Sequence, residues 1–249
     1  MRGAALRILQ IVGTLLIAGP GAAVAQELTL DLGAAGGGGS ATGAIIQLVA
    51  LLTILSLAPS ILVMVTSFTR IVIVLSFLRS ALGLQQTPPN AVLISLALFL
   101  TAFIMAPVLE QSYEAGIAPL MAEEIDEAEA FERAVAPVHG FMTRQVREQD
   151  VALFLDMAGG EELAGPEDIP LRVLVPAFLI SELRRAFEIG FLLFIPFLII
   201  DMVVASILMS MGMLMLPPIM ISLPFKLIFF VLVDGWYLVA GSLVQSFAV

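Results

Sequence analysis

Long apolar runs alternate along this chain with short clusters of proline, glycine and charge, and their spacing predicts a set of helices. Ala44 to Phe68 is apolar with Pro59 as its one breaker, and it is long enough to cross a hydrocarbon core of about 30 Å at about 1.5 Å per residue. The pattern predicts a kinked helix there. A mixed stretch follows in which Arg70 and Arg79 sit among apolar residues, and Thr87-Pro88-Pro89-Asn90 forces a break. Ala91 to Leu109 is the second apolar segment. Residues 110–170 lack a run of spanning length; their Glu-rich first part and Val135 to Met157 read as short amphipathic helices punctuated by Pro119, Pro137 and Gly159-Gly160. From Leu171 the chain is apolar almost throughout, interrupted at Pro217-Pro218 and Pro224, which predicts one long helix, a turn, and a last helix from about Phe225 to Val244.

At the N-terminus, Arg2 and Arg7 precede a mostly apolar run from Ile8 to Ala18 and the small residues Ala23-Val24-Ala25. That order reads as a secretory signal cleaved between Ala25 and Gln26, because eleven residues are too few to span a bilayer. The chain thus divides into a signal peptide (1–25), a Gly-rich flexible segment (26–43), a first helical hairpin (44–109), an acidic insert (110–170) and a C-terminal hairpin with a Met-rich loop (171–249). The fold class is all-α and membrane-associated, with about four long apolar helices and a small helical insert. No internal repeat of the kind that marks secondary transporters is visible.

Composition narrows the function. Sixty per cent of the 249 residues are hydrophobic and 13% charged, against about a quarter charged in soluble domains, which excludes a water-soluble enzyme. There is no cysteine and one histidine, His139, so thiolate metal sites and multi-imidazole chemistry are absent and no cofactor is implied. The net charge of -10 argues against nucleic acid as a partner. Residues 110–168 hold 15 acids against three bases, leaving the remaining chain slightly positive. With Arg70 and Arg79 taken as cytoplasmic markers, the acidic insert falls outside the cytoplasm, and four passes return the C-terminus to the outside with Lys226 near the inner end of the last.

Several charges stand where lipid would penalise them. Glu182, Arg184, Arg185 and Glu188 interrupt an apolar helix, each at a cost of roughly 2.5–3.5 kcal/mol in a bilayer centre. Glu182 can meet Arg185 and Arg184 can meet Glu188 along the helix, yet local pairs leave most guanidinium donors unused. Either the span is neutralised internally or it packs within an oligomer whose other subunits supply counter-charges; the second reading is preferred. Asp201, Lys226 and Asp234 are read as further intersubunit charges, with proton transfer by the two carboxylates as the alternative. Met209, Met211, Met213 and Met215 recur at every second position, a spacing that scatters around a helix and projects to one side of an extended loop. Adaptable core packing explains such a run, and so does a soft apolar collar around a passage.

The stretches F-L-I-S-E-L-R-R-A-F-E-I-G-F (Phe178 to Phe191), F-I-P-F-L-I-I-D (Phe194 to Asp201), M-G-M-L-M-L-P-P (Met211 to Pro218) and L-P-F-K-L-I-F-F-V-L-V-D-G-W (Leu223 to Trp236) strongly resemble the FliP family of flagellar biosynthetic proteins and related virulence type III secretion subunits. T-S-F-T-R-I-V-I-V-L-S-F-L-R (Thr66 to Arg79) and Q-T-P-P-N (Gln86 to Asn90) match its N-terminal half. The resemblance implies a non-enzymatic subunit of an export gate in the bacterial inner membrane, at the flagellar basal body. In that gate five copies would assemble with FliQ and FliR, beside other export-apparatus membrane proteins and within the basal-body ring, to pass unfolded proteins. It also implies that the gate stands largely above the membrane plane. The family's methionine gasket carries over to Met209, Met211, Met213 and Met215, while Leu214 stands where the family usually has another methionine. A virulence system and an ion channel or proton-coupled carrier using Asp201 and Asp234 are the rival readings.

Overall fold

A computed structural model describes residues 40–160, 165–213 and 215–247. The signal segment with Ala25 and Gln26, most of the Gly-rich stretch, and Leu214 lie outside the described residues. All regular structure among those described is helical. The chain forms two compact units, one ending at Ser56 and one beginning at Leu57. The first contains the start of α1 (Ser40–Val65), whose apolar side chains Ile45, Ile46, Val49, Leu51 and Leu52 are exposed.

The mixed stretch around Arg70 is a helix, α2 (Phe68–Ala81), because its apolar residues follow a helical period. Ile71, Val74, Leu75, Leu78 and Ala81 form one fully buried stripe. It packs against Val173, Leu174, Ala177, Phe178 and Ala186 of α6 (Leu171–Ser210), a 40-residue helix spaced in the same way. Between them in sequence come α3 (Asn90–Ser112), which runs on through a π-helical turn (Tyr113–Ile117) and a last turn (Ala118–Met121), then α4 (Glu127–Gln145) and α5 (Glu148–Met157). Asp126 starts α4 by accepting the Glu129 amide at 2.8 Å, a cap worth about 1 kcal/mol. The two amphipathic helices of the insert divide elsewhere than expected: α4 runs from Glu127 through Val135 and Pro137 to Gln145, and the segment Val135 to Met157 is broken at Val146-Arg147 before α5.

The C-terminal end departs from the expected single helix over Phe225 to Val244. Two helices stand there, α7 (Pro218–Leu232) and α8 (Gly235–Gln245), bent by 63°. Asp234 makes the break with left-handed torsions (φ 50°, ψ 54°), whereas Pro224, read from the sequence as the interruption, is carried inside α7.

Among the described residues two helices are long and apolar enough to cross a membrane, Asn90–Met121 and Leu171–Ser210. Counting the bent pairs Leu48–Leu57 with Pro59–Val65 and Pro218–Leu232 with Gly235–Gln245 as one span each gives four. At about 1.5 Å per residue α6 is about 60 Å long, twice the hydrocarbon thickness, so part of it must leave the lipid. Phe191, Leu192 and Met202 of α6 and Val231 and Leu232 of α7 are exposed, an apolar surface of the kind that contacts lipid or other chains.

Candidate functional site

The second unit is pinned by three polar knots, each joining elements far apart in sequence. The first centres on Arg70, which is 0% exposed. Its Nε donates to Glu182 Oε2 at 2.8 Å and Nη2 to Glu182 Oε1. Nη2 also donates to Gln145 Oε1 at 3.1 Å, and Nη1 to the Ser246 carbonyl at 3.1 Å and its hydroxyl at 3.0 Å. All five guanidinium N–H groups are therefore satisfied, which a buried arginine requires. The Phe247 ring lies over the cation, 3.7 Å from the guanidinium carbon to the ring centroid. This knot joins α2, α4, α6 and the tail after α8.

The expected Glu182–Arg185 pair is not formed. Glu182 is fully buried on the inner face of α6, turned to Arg70, and half-buried Arg185 donates instead to Gln145 Oε1 at 3.2 Å. Planar two-point contact with an opposing guanidinium serves a buried carboxylate better than an i, i+3 pair on the same helix. Arg184 and Glu188 do pair as expected, at 2.8 Å, and both remain more than half exposed. Arg70, read as a cytoplasmic marker, is a core residue, so that topology argument keeps Arg79 alone of the two.

The second knot was not anticipated. Arg147 donates from Nε to Asp150 Oδ2 at 2.9 Å and from Nη2 to Oδ1 at 2.7 Å, and the Ser181 hydroxyl donates to Asp150 Oδ2 at 2.5 Å. It fastens α5 to α6 one residue before Glu182. In the third, Lys226 of α7, 2% exposed, donates to Asp201 Oδ2 at 2.6 Å and to the Ala81 carbonyl at the end of α2 at 3.1 Å. Ser222 donates to Asp201 Oδ1 at 2.5 Å. Asp201 and Lys226, expected to pair between subunits, are each other's partners within one chain. Asp234 is exposed and serves as the bend between α7 and α8.

This third knot predicts an asymmetry. Asp201→Ala strands a buried ammonium and should cost about 3 kcal/mol, whereas Lys226→Met removes the charge that needs the partner and should cost less than half as much. Thermal unfolding of the two purified variants checks it, and equal losses would show that the carboxylate does not compensate the lysine.

The methionines occupy the connection from α6 to α7. Met209 lies in the last turn of α6, and Met211, Met213 and Met215 follow it. The helix stops at Gly212, whose φ of +74° suits a residue without a Cβ. The Met213 amide donates to the Leu208 carbonyl at 3.0 Å and the Gly212 amide to Met209 at 3.1 Å, a Schellman closure. Met209, Met211, Met213 and Met215 are 59%, 63%, 44% and 96% exposed, so the core-packing reading of the run does not hold within this chain. Leu214 lies outside the described residues. Among the described residues no group of three or more His, Asp or Glu side chains is arranged to hold a metal ion. His139 donates from Nε2 to the Ile169 carbonyl at 2.8 Å.

A family profile described as the FliP family matches residues 51–243. The chain is 62% identical over 229 residues to the flagellar biosynthetic protein FliP of Caulobacter vibrioides, covering 92% of this chain and 85% of that one. It is 58% identical over 202 residues to the protein of that name from Bacillus subtilis, covering 81% and 91%. Against the one from Rhizobium meliloti it is 50% identical over 234 residues, covering 93% and 96%.

Proposed function

The chain belongs to the FliP family, and from that premise we propose that it is a pore-forming subunit of the flagellar type III protein export gate. As a component of the flagellar export apparatus it is a membrane protein, with apolar helices of spanning length. The finer reading is that five copies assemble with FliQ and FliR in the inner membrane, enclosing a passage for unfolded flagellar proteins. The observation that carries it is the exposed methionine loop, which offers Met211, Met213 and Met215 to whatever stands opposite. Flexible thioethers held clear of the chain's own core are suited to a collar that seals by excluding water and yields to a passing polypeptide.

The exposed Arg184–Glu188 pair supports a subunit contact along the N-terminal half of α6, since lipid would penalise both charges and the helix is long enough to stand partly outside it. In this reading the acidic insert lies on the extracytoplasmic side, the chain catalyses no reaction, and it binds no cofactor. The test is native mass measurement of the complex purified through this chain, together with flagellin secretion by cells lacking it. Five copies with the two sister subunits, and secretion lost in the deletion, are expected. A single copy, or undiminished secretion, would overturn the reading.

A further inference from the structure

The C-terminal helix α8 is fixed at both ends and buries one narrow stripe between them. Of its eleven residues Gly235, Val239 and Leu243 are buried, and clefts of about 530 Å³ and 210 Å³ separate it from Phe103 of α3 and from Val74 of α2. One end is a bend: Asp234 takes the left-handed conformation, and a Cβ on Gly235 would lie 2.1 Å from the Phe230 ring, so the turn and the close approach both depend on these two positions. The other end is the contact of Ser246 and Phe247 with Arg70 and Gln145. Phe247 is also stacked on Phe141 of α4, with centroids 6.1 Å apart and planes at 21°.

We propose that α8 is a releasable strap, hinged at Asp234–Gly235 and latched by seating Ser246 and Phe247 on the Arg70 guanidinium. The division of labour among the arginine's donors makes the latch separable. Nε and Nη2 hold Glu182 and Gln145, so the buried charge stays neutralised when the strap leaves, and release gives up the two Nη1 bonds, the bond from Gln145 to the Phe247 carbonyl and two ring contacts rather than an ion pair. Gln145 and Phe141 belong to the insert, so the seated strap also ties the insert to the helical body. Unseating it would free α8, while α4 stays held through Gln145 to Arg70 and Arg185.

The chain has no cysteine, so a single Leu243→Cys, at a position 1% exposed on the inner face of the strap, reports seating by its reaction with N-ethylmaleimide. The measurement is made on the complex purified with the full chain, and repeated with Phe247→Ala and with the chain shortened after Gln245. Losing the latch shifts a local opening equilibrium, so labelling should rise about tenfold in the shortened chain and about threefold in Phe247→Ala. Leu174→Cys, fully buried on α6, is the control and should not change. Unchanged labelling at position 243 in Phe247→Ala, or an equal rise at position 174, would overturn the proposal. Should the shortened chain fail to assemble, Phe247→Ala decides alone.

Discussion

Arg70→Ala is expected to strip most of the chain from the membrane fraction. The substitution leaves the Glu182 carboxylate fully buried without its cation and removes the donors that Gln145 and Ser246 accept. Removing one partner of a buried ion pair costs about 3–5 kcal/mol, a large share of the 5–15 kcal/mol that holds a typical fold together. The loss comes from the stranded charge more than from the missing contact, and this yields a second expectation. Arg70→Met combined with Glu182→Met removes both charges and should recover much of the lost protein, although Ser246 loses the Nη1 donor while Gln145 keeps Arg185. Arg70→Lys should recover little, because a single ammonium cannot make the planar two-point contact with Glu182 and still reach the tail. Membrane-fraction yield and melting temperature of the three variants test the ordering. Wild-type yield for Arg70→Ala would show that the knot does not hold the fold.

What the sequence disclosed, and what it hid, follows from the range of each signal. Leu171–Ser210 was legible as one long helix and Asn90–Met121 only as far as Leu109, because an apolar run needs no partner to be recognised, whereas Glu110 and Glu114 sent the helix's continuation to the insert. Glu182 was rightly suspected of needing a partner, yet the nearest base along the helix was the wrong one. Its partner is 112 positions away, and local spacing carries no information about such a pairing. Arg70 stands among apolar residues just as Glu182 does, so the same desolvation argument applied to both would have matched two stranded opposite charges. A positive-inside count treats every arginine near a span alike and sent Arg70 to the cytoplasmic turn. The bend at Asp234–Gly235 had a readable sign, an Asp-Gly dipeptide, outweighed by the apolar residues flanking it. Gln145, Ser246 and Phe247 gave none, being ordinary residues that matter through what they touch. The methionine run was legible as a connection because Gly212 and the paired prolines discourage a continued helix, although Met209 falls in the last turn of α6; its exposure was not, since packing and collar fit the spacing equally.

Replacing Met213 and Met215 together with alanine should raise ion leakage across the inner membrane while leaving protein export at least partly intact. In this chain the two side chains touch little, being 44% and 96% exposed, so their loss should not weaken the fold. An effect on conductance must then come from what they meet in the assembled gate. A narrow ring of apolar groups keeps a passage dry, and water enters once it widens, so sealing depends steeply on the bulk each side chain supplies. Each alanine removes three heavy atoms, and in the proposed ring of five copies the two substitutions would remove about thirty from one constriction, a change far larger than the single-chain edit suggests. Export should suffer less, because a wider collar still admits an unfolded chain. Ile228→Ala, exposed at 57% on the flank of α7, removes three heavy atoms per chain away from the loop and should leave the membrane tight. Membrane potential and ion uptake in cells carrying each variant at matched gate abundance distinguish the cases. Leakage from the double methionine variant and not from Ile228→Ala would assign the seal to the loop. Equal tightness in both would mean that Met213 and Met215 face lipid or a partner rather than the passage.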